Sequence, residues 1–450
     1  MDILSRRHLP RTALLAALLL TCSAVTLRAE NQPWSLRQCI DYALEHSPAL
    51  AKQKLTVNSQ KLERLIAEAA FDTQLKANAN QKFAATDSTS HSLTLSRDFE
   101  NGLSLSAGLD GTHYSDGDYT DAAASVRISK QLLGGGSTLE TRYDLEASII
   151  QELSAQNTLQ RQRRRLILDV TLAYYAIIRN QQSLRVKERA LENARQTLEI
   201  TREREKPLDI LTAELRIPDN ELAVNTALRQ IRNGLDSLKE LIGLDIAQPL
   251  DINGAFEYKT ATTHPDADRE FAIQNLETFL NNRLEQRRLQ MLIDIRDENR
   301  LPDLSVSAAF LQHGDGDGYN LDGRDEQQLG VTLNWTLGRK ADIARHAIAL
   351  DNYQKNRHDF FTLCQELARD MANTTRQLDE YQKAVKLQEF KCDLLKRKEE
   401  LYRDRWENGE IDILELVRTQ TDLEDSLVDL IGRKVSYMEL LANYHFLIGR

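Results

Sequence analysis

The last fifty residues, 401–450, carry the clearest pattern of apolar and polar positions in the chain. Apolar residues return every three or four positions after Ile413, which predicts a helix with one continuous apolar face. Gln420 and Lys434 are the two polar exceptions on that face. A second apolar row begins at Val417, so the helix is expected to contact a neighbour on each side, as helices in the wall of a tube do.

A turn between two helices is predicted just before that face begins. Gly409 interrupts the helical pattern, as glycine commonly does at a helix end. Asp412 and Glu415 then have the three-residue spacing of a capping box, in which a side chain at each position bonds the backbone N–H at the other. The chain is therefore expected to reverse direction at Gly409 and to begin a new helix after Asp412.

The segment after this turn occurs twice in the chain. Residues 208–215 resemble residues 414–421, and the tripeptide 241–243 is repeated as 447–449 at the same spacing. Self-similarity of this kind indicates an internal duplication. We expect two repeats that together form one elongated unit.

The boundaries of the two repeats follow from where the periodicity stops. The first repeat covers 30–242, a linker containing proline and glycine covers 243–270, and the second repeat covers 271–450. Each repeat is expected to contain one very long helix, at 138–206 and at 337–408. Shorter helices are predicted over 35–70, with an interruption at Pro48, over 209–242 and over 271–300.

Between these helices the apolar period changes from helical to alternating, which is typical of strands. In the first repeat four strands are predicted within about 73–132, and Asn101-Gly102 is a hairpin signal between the middle two. The four strands cover 73–83, 91–99, 103–114 and 122–132. Two more strands are predicted within about 302–336. The expected fold is therefore mainly α, with a smaller β portion.

The N-terminus has the features of an export signal. Three arginines precede an apolar run at 13–20 that is too short to span a bilayer. Cleavage after Ala29 is expected, which makes 1–29 a signal peptide. Residues 19–22 resemble a lipoprotein cleavage box, so lipidation of Cys22 is the alternative.

Charge and residue content argue against several classes of function. The formal net charge is −10, and basic residues are interleaved with acidic ones, so no nucleic-acid partner is expected. The nine histidines are scattered, and no nucleophile elbow, phosphate loop or metal pair is present. The loop after His313 matches a calcium loop at Asp315 and Asp317 but fails at Tyr319 and Asn320. We expect no enzyme activity, no cofactor and no metal.

The strand blocks are the part of the chain suited to a lipid environment. The chain carries an export signal, and no apolar helix of about twenty residues follows it. A tilted strand of about ten residues can cross the hydrocarbon layer. Four to six strands cannot close a barrel alone, so strands from several copies would have to close one together. The alternative is an exported coiled-coil structural or adhesive protein that forms no pore.

Three segments resemble the TolC family of outer-membrane efflux and secretion channels. Residues 34–50 resemble the family's opening helix, residues 301–305 its strand entry, and residues 409–416 with Gln420 its glycine turn and following helix. The resemblance implies a homotrimer with a shared β-barrel in outer-membrane lipid and a helical tunnel across the periplasm. It also implies a periplasmic adaptor and an inner-membrane transporter as partners, with cargo passing through without chemistry.

The resemblance further implies an aperture at the closed end of the tunnel. Glu415 falls on the position of an acidic ring, Asp209 is its counterpart in the first repeat, and Trp406 falls where an aperture aromatic is expected. Arg418 stands where a second ring acid can occur. On residue type alone, the two acids could simply cap helix N-termini, where the local dipole favours a carboxylate, and this role is compatible with the aperture. Trp406 could equally be a packing residue.

The turns at this end are the expected adaptor contacts. The residues concerned are Lys206, Pro207, Asn408, Gly409 and Glu410. Two features depart from the family pattern: the first repeat lacks the glycine turn and is about three residues shorter there, and the hairpin at 101–102 exceeds two strands per repeat. That hairpin is expected either to enlarge the barrel or to lie outside it.

Overall fold

The computed structural model describes residues 33–83, 87–114, 119–134, 136–203, 206–254, 256–314 and 321–450. The predicted signal peptide at 1–29, with Cys22, lies outside these residues. So do positions 315–320 of the loop that partly matches a calcium site.

Each repeat begins with two consecutive helices, continues with strands and ends with a long helical hairpin. In the first repeat the elements are α1 (Leu36–His46), α2 (Pro48–Glu68), β1 (Gln74–Lys82), β2 (Ser88–Asp98), β3 (Leu103–Tyr114), β4 (Tyr119–Leu133), α3 (Gly136–Glu203) and α4 (Pro207–Ile242). In the second they are α5 (Pro265–Asn275), α6 (Glu277–Glu298), β5 (Asp303–His313), β6 (Asp325–Asn334), α7 (Lys340–Glu407) and α8 (Ile413–Ile448).

Corresponding helices of the two repeats have equal lengths. Helices α3 and α7 have 68 residues each, and α4 and α8 have 36 each. Both α4 and α8 end at a left-handed glycine, Gly243 with φ 78° and Gly449 with φ 84°, a conformation that glycine adopts without steric cost. At 1.5 Å per residue, each long helix extends about 100 Å.

The short helices at the start of the second repeat differ from the prediction. The prediction of a single helix over 271–300 is wrong. The chain is extended at Leu276 (ψ 133°), which separates α5 from α6. The first repeat has the same interruption at Ser47 (ψ 125°), where Pro48 made it visible in the sequence. Helix α5 also begins inside the predicted linker, at Pro265, since proline at the first helical position needs no N–H partner.

All six strands form one antiparallel sheet in the order β1-β2-β3-β4-β5-β6. The two repeats join where β4 pairs with β5, with Val126 opposite Phe310. The predicted turn at Asn101-Gly102 connects β2 to β3, and Gly102 has φ 79°. The sheet and the long helical hairpins confirm the expected mainly-α fold with a β portion.

One face of the sheet is apolar and the other is polar, across its whole width from β1 to β6. Cross-strand pairing places Leu75, Leu95, Ala107, Val126 and Phe310 in one row on the same face. Large apolar side chains exposed on this face are Leu75, Leu93, Leu95, Leu105, Leu109, Val126, Ile128, Phe310, Leu329, Val331 and Leu333. The opposite face carries mainly serine, threonine, asparagine and charged residues. An exposed apolar surface of this extent indicates contact with lipid or another protein.

The four long helices pack side by side in the order α4-α3-α8-α7. Helices α1 and α2 pack on α3, and α6 packs on α3 and α7. Helices α4 and α7 are the two edges of this layer. Among the described residues, none of the helices combines the length and the apolar character needed to cross a bilayer.

Candidate functional site

The turn between α7 and α8 is a tight glycine turn. Gly409, with φ 79°, donates its N–H to the carbonyl of Trp406 at 2.9 Å, and Glu410 donates to the carbonyl of Arg405 at 2.8 Å. These two hydrogen bonds are a Schellman motif, which satisfies carbonyls left free at the helix end. A side chain at Gly409 would be strained by this backbone conformation.

The turn between α3 and α4 is built differently. Three residues separate the described end of α3 at Glu203 from Pro207, against the five residues 408–412 in the second repeat. Helix α4 begins with Pro207 after Lys206, whose backbone is extended (φ −92°, ψ 109°). Proline therefore starts the returning helix here without a preceding glycine turn.

The start of α8 lacks the predicted capping box. Asp412 is the residue that precedes the helix, but its side chain makes no capping hydrogen bond. The Glu415 N–H donates to the backbone carbonyl of Asp412 at 3.2 Å. The box is absent because the donor at Glu415 is taken by a main-chain acceptor and not by the carboxylate.

The acids expected at the aperture lie in equivalent first turns. Asp209 is half-buried in the first turn of α4, and Glu415 is exposed in the first turn of α8. Carboxylates are favoured at both places because the N-terminal end of a helix carries partial positive charge. Arg418 is also exposed, about one turn beyond Glu415.

Trp406 does not have the exposure of an aperture residue. Its side chain is 3% exposed and belongs to an apolar cluster that joins the ends of both hairpins. The buried members of this end cluster are Leu198, Ala213, Trp406, Ile413 and Leu416. The structure gives Trp406 the packing role, in which it ties α7 to the first hairpin.

A buried polar network crosses the layer next to the end cluster. Arg216 Nη1 on α4 donates to Gln420 Oε1 on α8 at 2.6 Å. Gln420 Nε2 donates to Glu399 Oε1 on α7 at 3.3 Å, and Arg403 Nη2 donates to the same oxygen at 2.6 Å. Gln420 is 4% exposed, so these hydrogen bonds offset the cost of burying its amide.

The polar exceptions on the apolar face of α8 were the sequence signal for these contacts. Gln420 interrupts that face because it connects three helices. Lys434 interrupts it because its Nζ lies 2.6 Å from Glu389 Oε1 on α7 and 5.8 Å from the ring centroid of Tyr258. A polar residue within an apolar face thus marked a cross-helix contact in both cases.

Glu424 extends the network with a carboxylate in an unfavourable setting. Burial raises its pKa, and Arg216, whose Nη2 lies 3.5 Å from Glu424 Oε1, offsets part of this effect. A raised carboxyl pKa means that folding favours the protonated form. The stability connected with Glu424 is therefore full below the ordinary carboxyl pKa and is lost as the pH rises through the raised value.

We expect Glu424→Gln to remove this pH-dependent loss, because an amide stays neutral. The melting temperature of the variant, relative to the wild type, should rise between pH 4 and pH 7, by about 1–3 °C. Asp422→Asn, at an exposed position two residues earlier, controls for the change in net charge. A difference in melting temperature that is constant across this range, or equal in the two variants, would contradict the interpretation.

The residues expected to contact a partner are accessible in the chain. Lys206, Pro207, Asn408, Gly409 and Glu410 are all exposed and lie at the end of the helical layer. Within the described part of the chain, no group of three or more histidine, cysteine or acidic side chains could hold a metal ion.

Comparison with solved structures identifies the fold. No family model and no curated protein matches the sequence. CusC matches with a TM-score of 0.70 and 13% identity, over 94% of this chain and 95% of CusC. VceC from Vibrio cholerae matches with 0.70 and 15%, over 92% and 96%. The open state of MtrE from Neisseria gonorrhoeae matches with 0.69 and 15%, over 95% and 93%. The chain has the fold of the TolC-family outer-membrane channels.

The TolC-type fold confirms the expected architecture. The solved structures match over more than nine-tenths of the chain. The end cluster and the network around Gln420 therefore lie at the turn end of such a fold, away from the sheet.

Proposed function

We propose that this chain is one of three identical subunits of an outer-membrane channel that extends into the periplasm. The observation that carries the proposal is the six-stranded sheet, apolar on one face and polar on the other, at one end of a helical layer about 100 Å long. Lipid would cover the apolar face, and the polar face would line a lumen. Cargo would pass from the periplasm to the outside without chemical change.

The sheet supports closure by several copies because both of its edges are open. Among the described residues, strands β1 and β6 each pair with a neighbour on one side only. Unpaired backbone groups are costly in lipid, which disfavours an open edge there. Since the sheet has an even number of antiparallel strands, β6 of one copy runs antiparallel to β1 of the next.

The helical layer has matching unpartnered edges. Helix α4 exposes four leucines, and the C-terminal third of α7 exposes four large apolar side chains with the same successive spacings of three, four and seven residues. These residues are Leu208, Leu211, Leu215 and Leu222 on α4, and Leu387, Phe390, Leu394 and Leu401 on α7. Both rows lie towards the turn end of the layer. Packing α4 of one copy against α7 of the next would bury both rows and close a tunnel.

The turn end of that tunnel would meet a periplasmic adaptor and an inner-membrane transporter. The proposal is supported by the exposure of Lys206, Pro207, Asn408, Gly409 and Glu410. It is also supported by the likeness of the fold to outer-membrane channels such as MtrE. The adaptor would contact these turns, and opening would require the two hairpins to separate near the end cluster.

Channel activity tests the proposal directly. Detergent-extracted protein reconstituted into planar bilayers should give discrete conductance steps that are the same from one preparation to the next. Protein heated until its subunits dissociate serves as the control and should give none. Absence of conductance from an intact oligomer would overturn the channel function.

The aperture acids should set the charge preference of the channel. We expect Asp209→Ala with Glu415→Ala to lower the cation-over-anion permeability ratio by a factor of about two or more, because six carboxylates would leave a narrow region of a trimer. Arg418→Ala should raise the same ratio. The ratio is obtained from reversal potentials across a salt gradient.

Asp251→Ala with Asp266→Ala is the matched control, since these exposed acids lie far along the chain from the turns. This variant should leave the permeability ratio unchanged. Equal effects of the two double variants, or a shift of the same sign in Arg418→Ala, would show that the three residues do not line the aperture.

A further inference from the structure

The β2–β3 hairpin is the part of the sheet that the family pattern of two strands per repeat does not account for. Strand β2 pairs with β1 from Gln74 to Lys82. Strand β3 pairs with β4 from Leu103 to Tyr114. The hairpin therefore lies within the sheet, between β1 and β4, along nearly the full length of both.

The hairpin also continues the two-faced pattern of its neighbours. Leu95 on β2 lies between Leu75 on β1 and Ala107 on β3, and that row continues to Val126 on β4. The neighbouring row on the opposite face contains Thr94 of β2, paired with Gly108 of β3. A hairpin that capped or plugged the lumen would be in water on both faces, where exposed leucines are unfavourable.

The insertion preserves the direction of every other strand. Two antiparallel strands stand between β1 and β4, so these two strands are antiparallel to each other. The added strands have 11 and 12 residues, within the range of 9 to 15 for the sheet. Each is long enough to cross the hydrocarbon layer when tilted.

From this placement we infer that β2 and β3 are wall strands and that the channel has an eighteen-stranded barrel, six strands from each of three copies. The inference rests on the proposed trimeric channel. Barrel diameter grows roughly in proportion to strand number, and barrels of 16–18 strands leave an aqueous channel. Compared with four strands per copy, the lumen at the outer-membrane end would be about 1.5 times as wide.

A wide membrane end changes where cargo is selected. The sheet face towards the lumen carries mainly serine, threonine, asparagine and charged residues, which hold water. The narrowest point would lie at the helical turns and not in the membrane. The barrel therefore fits bulky, hydrated cargo that enters through a separately gated helical end.

A deletion that restores four strands per copy tests the inference. Removing residues 84–116 joins Phe83 to Gly117 and leaves a three-residue loop between β1 and β4, a length common in hairpins. Lys82 and Tyr119 lie in the same cross-strand row of the intact sheet. The deletion therefore keeps the apolar and polar faces of β1 and β4 in register.

Exclusion of polyethylene glycols added on the extracellular side reports the width of the membrane end. The largest polymer radius that enters the deletion variant should be about two-thirds of that for the wild type, at unchanged oligomer mass. End-on electron microscopy of the wild type should count eighteen wall strands. Equal exclusion radii, or twelve wall strands in a wild-type trimer, would overturn the inference and leave the channel proposal standing. A wild-type protein that is not a trimer would overturn both the eighteen-stranded barrel and the proposed trimeric channel.

Cysteine accessibility keeps the test independent of the deletion. In a Cys364→Ser background, Leu95→Cys should be protected from a charged thiol reagent. The fluorescence of a probe attached to Leu95→Cys should be quenched by a lipid-soluble quencher. Thr94→Cys, its neighbour on the opposite face, should react with the charged reagent. Rapid reaction at both positions would place the hairpin in water on both faces and would exclude it from the barrel wall.

Discussion

Leu211→Glu with Leu215→Glu is expected to leave the protein largely monomeric. The two leucines are 55% and 60% exposed in the single chain, so charging them should not disturb the fold. Burying a leucine contributes about 1.5–3 kcal/mol, and burying an unpaired carboxylate costs more than that contribution. A trimer would carry this loss at each of its three helical interfaces. The subunit number is read from light scattering corrected for bound detergent.

A matched control and a rescue variant test whether α4 of one copy contacts α7 of the next. Ile246→Glu changes an apolar residue of similar exposure, 65%, in the linker, and it should remain oligomeric. Leu394→Lys with Leu401→Lys should also dissociate the oligomer. Combining these lysines with the two glutamates should restore much of it, because opposite charges would then meet across each interface. Failure of the combined variant to reassociate would contradict pairing of α4 with α7.

Trp406→Ala is expected to loosen the turn end of both hairpins. The ring is almost fully buried between α7, α8 and the first hairpin. Removing a buried aromatic ring costs about 3–5 kcal/mol. Amide hydrogen exchange in 198–217 and 402–417 should accelerate by about 100-fold or more, because the lost packing lowers the free energy of local opening. In bilayers the closed state should leak.

Trp406→Phe is the conservative control for this variant, because it keeps an aromatic ring in the cluster. It should retain most of the exchange protection. Amides around Ile177, which lies in a separate core cluster, should be unaffected in both variants. Equal protection in the alanine and phenylalanine variants would mean that the ring does not hold the hairpins together.

The elements with strong periodicity could be predicted from the sequence. Strand β3 was predicted at 103–114, which matches Leu103–Tyr114, because alternating leucines follow an Asn-Gly turn. Helix α3 was predicted at 138–206 and extends over Gly136–Glu203. In both cases local side-chain pattern and turn chemistry agree with the final fold.

Features without a local signal were missed. The interruption at Leu276 has no proline, unlike the one before Pro48, so only comparison of the two repeats could have indicated it. The capping box failed because the Glu415 N–H has a main-chain acceptor. The placement of the hairpin at 101–102 was left open between enlarging the barrel and lying outside it, because alternation alone does not determine which strands become neighbours.

In the candidate site, too, only residues with a local sequence signal could be predicted. Trp406 was assigned from the family pattern, whereas its environment is set by long-range packing against Leu198 and Ala213. Arg216 gave no signal of its own, because a single arginine on a helix is usually solvated. Its partner Gln420 did give one, since a polar residue within an apolar row must find hydrogen bonds when buried.

The mass of the protein extracted from outer membranes in mild detergent tests the central claim most directly. The open edges of the sheet and the exposed rows on α4 and α7 predict three copies per particle, released only by detergent. A single copy, or release from the cell envelope without detergent, would contradict the shared barrel and would favour an exported coiled-coil protein without a pore.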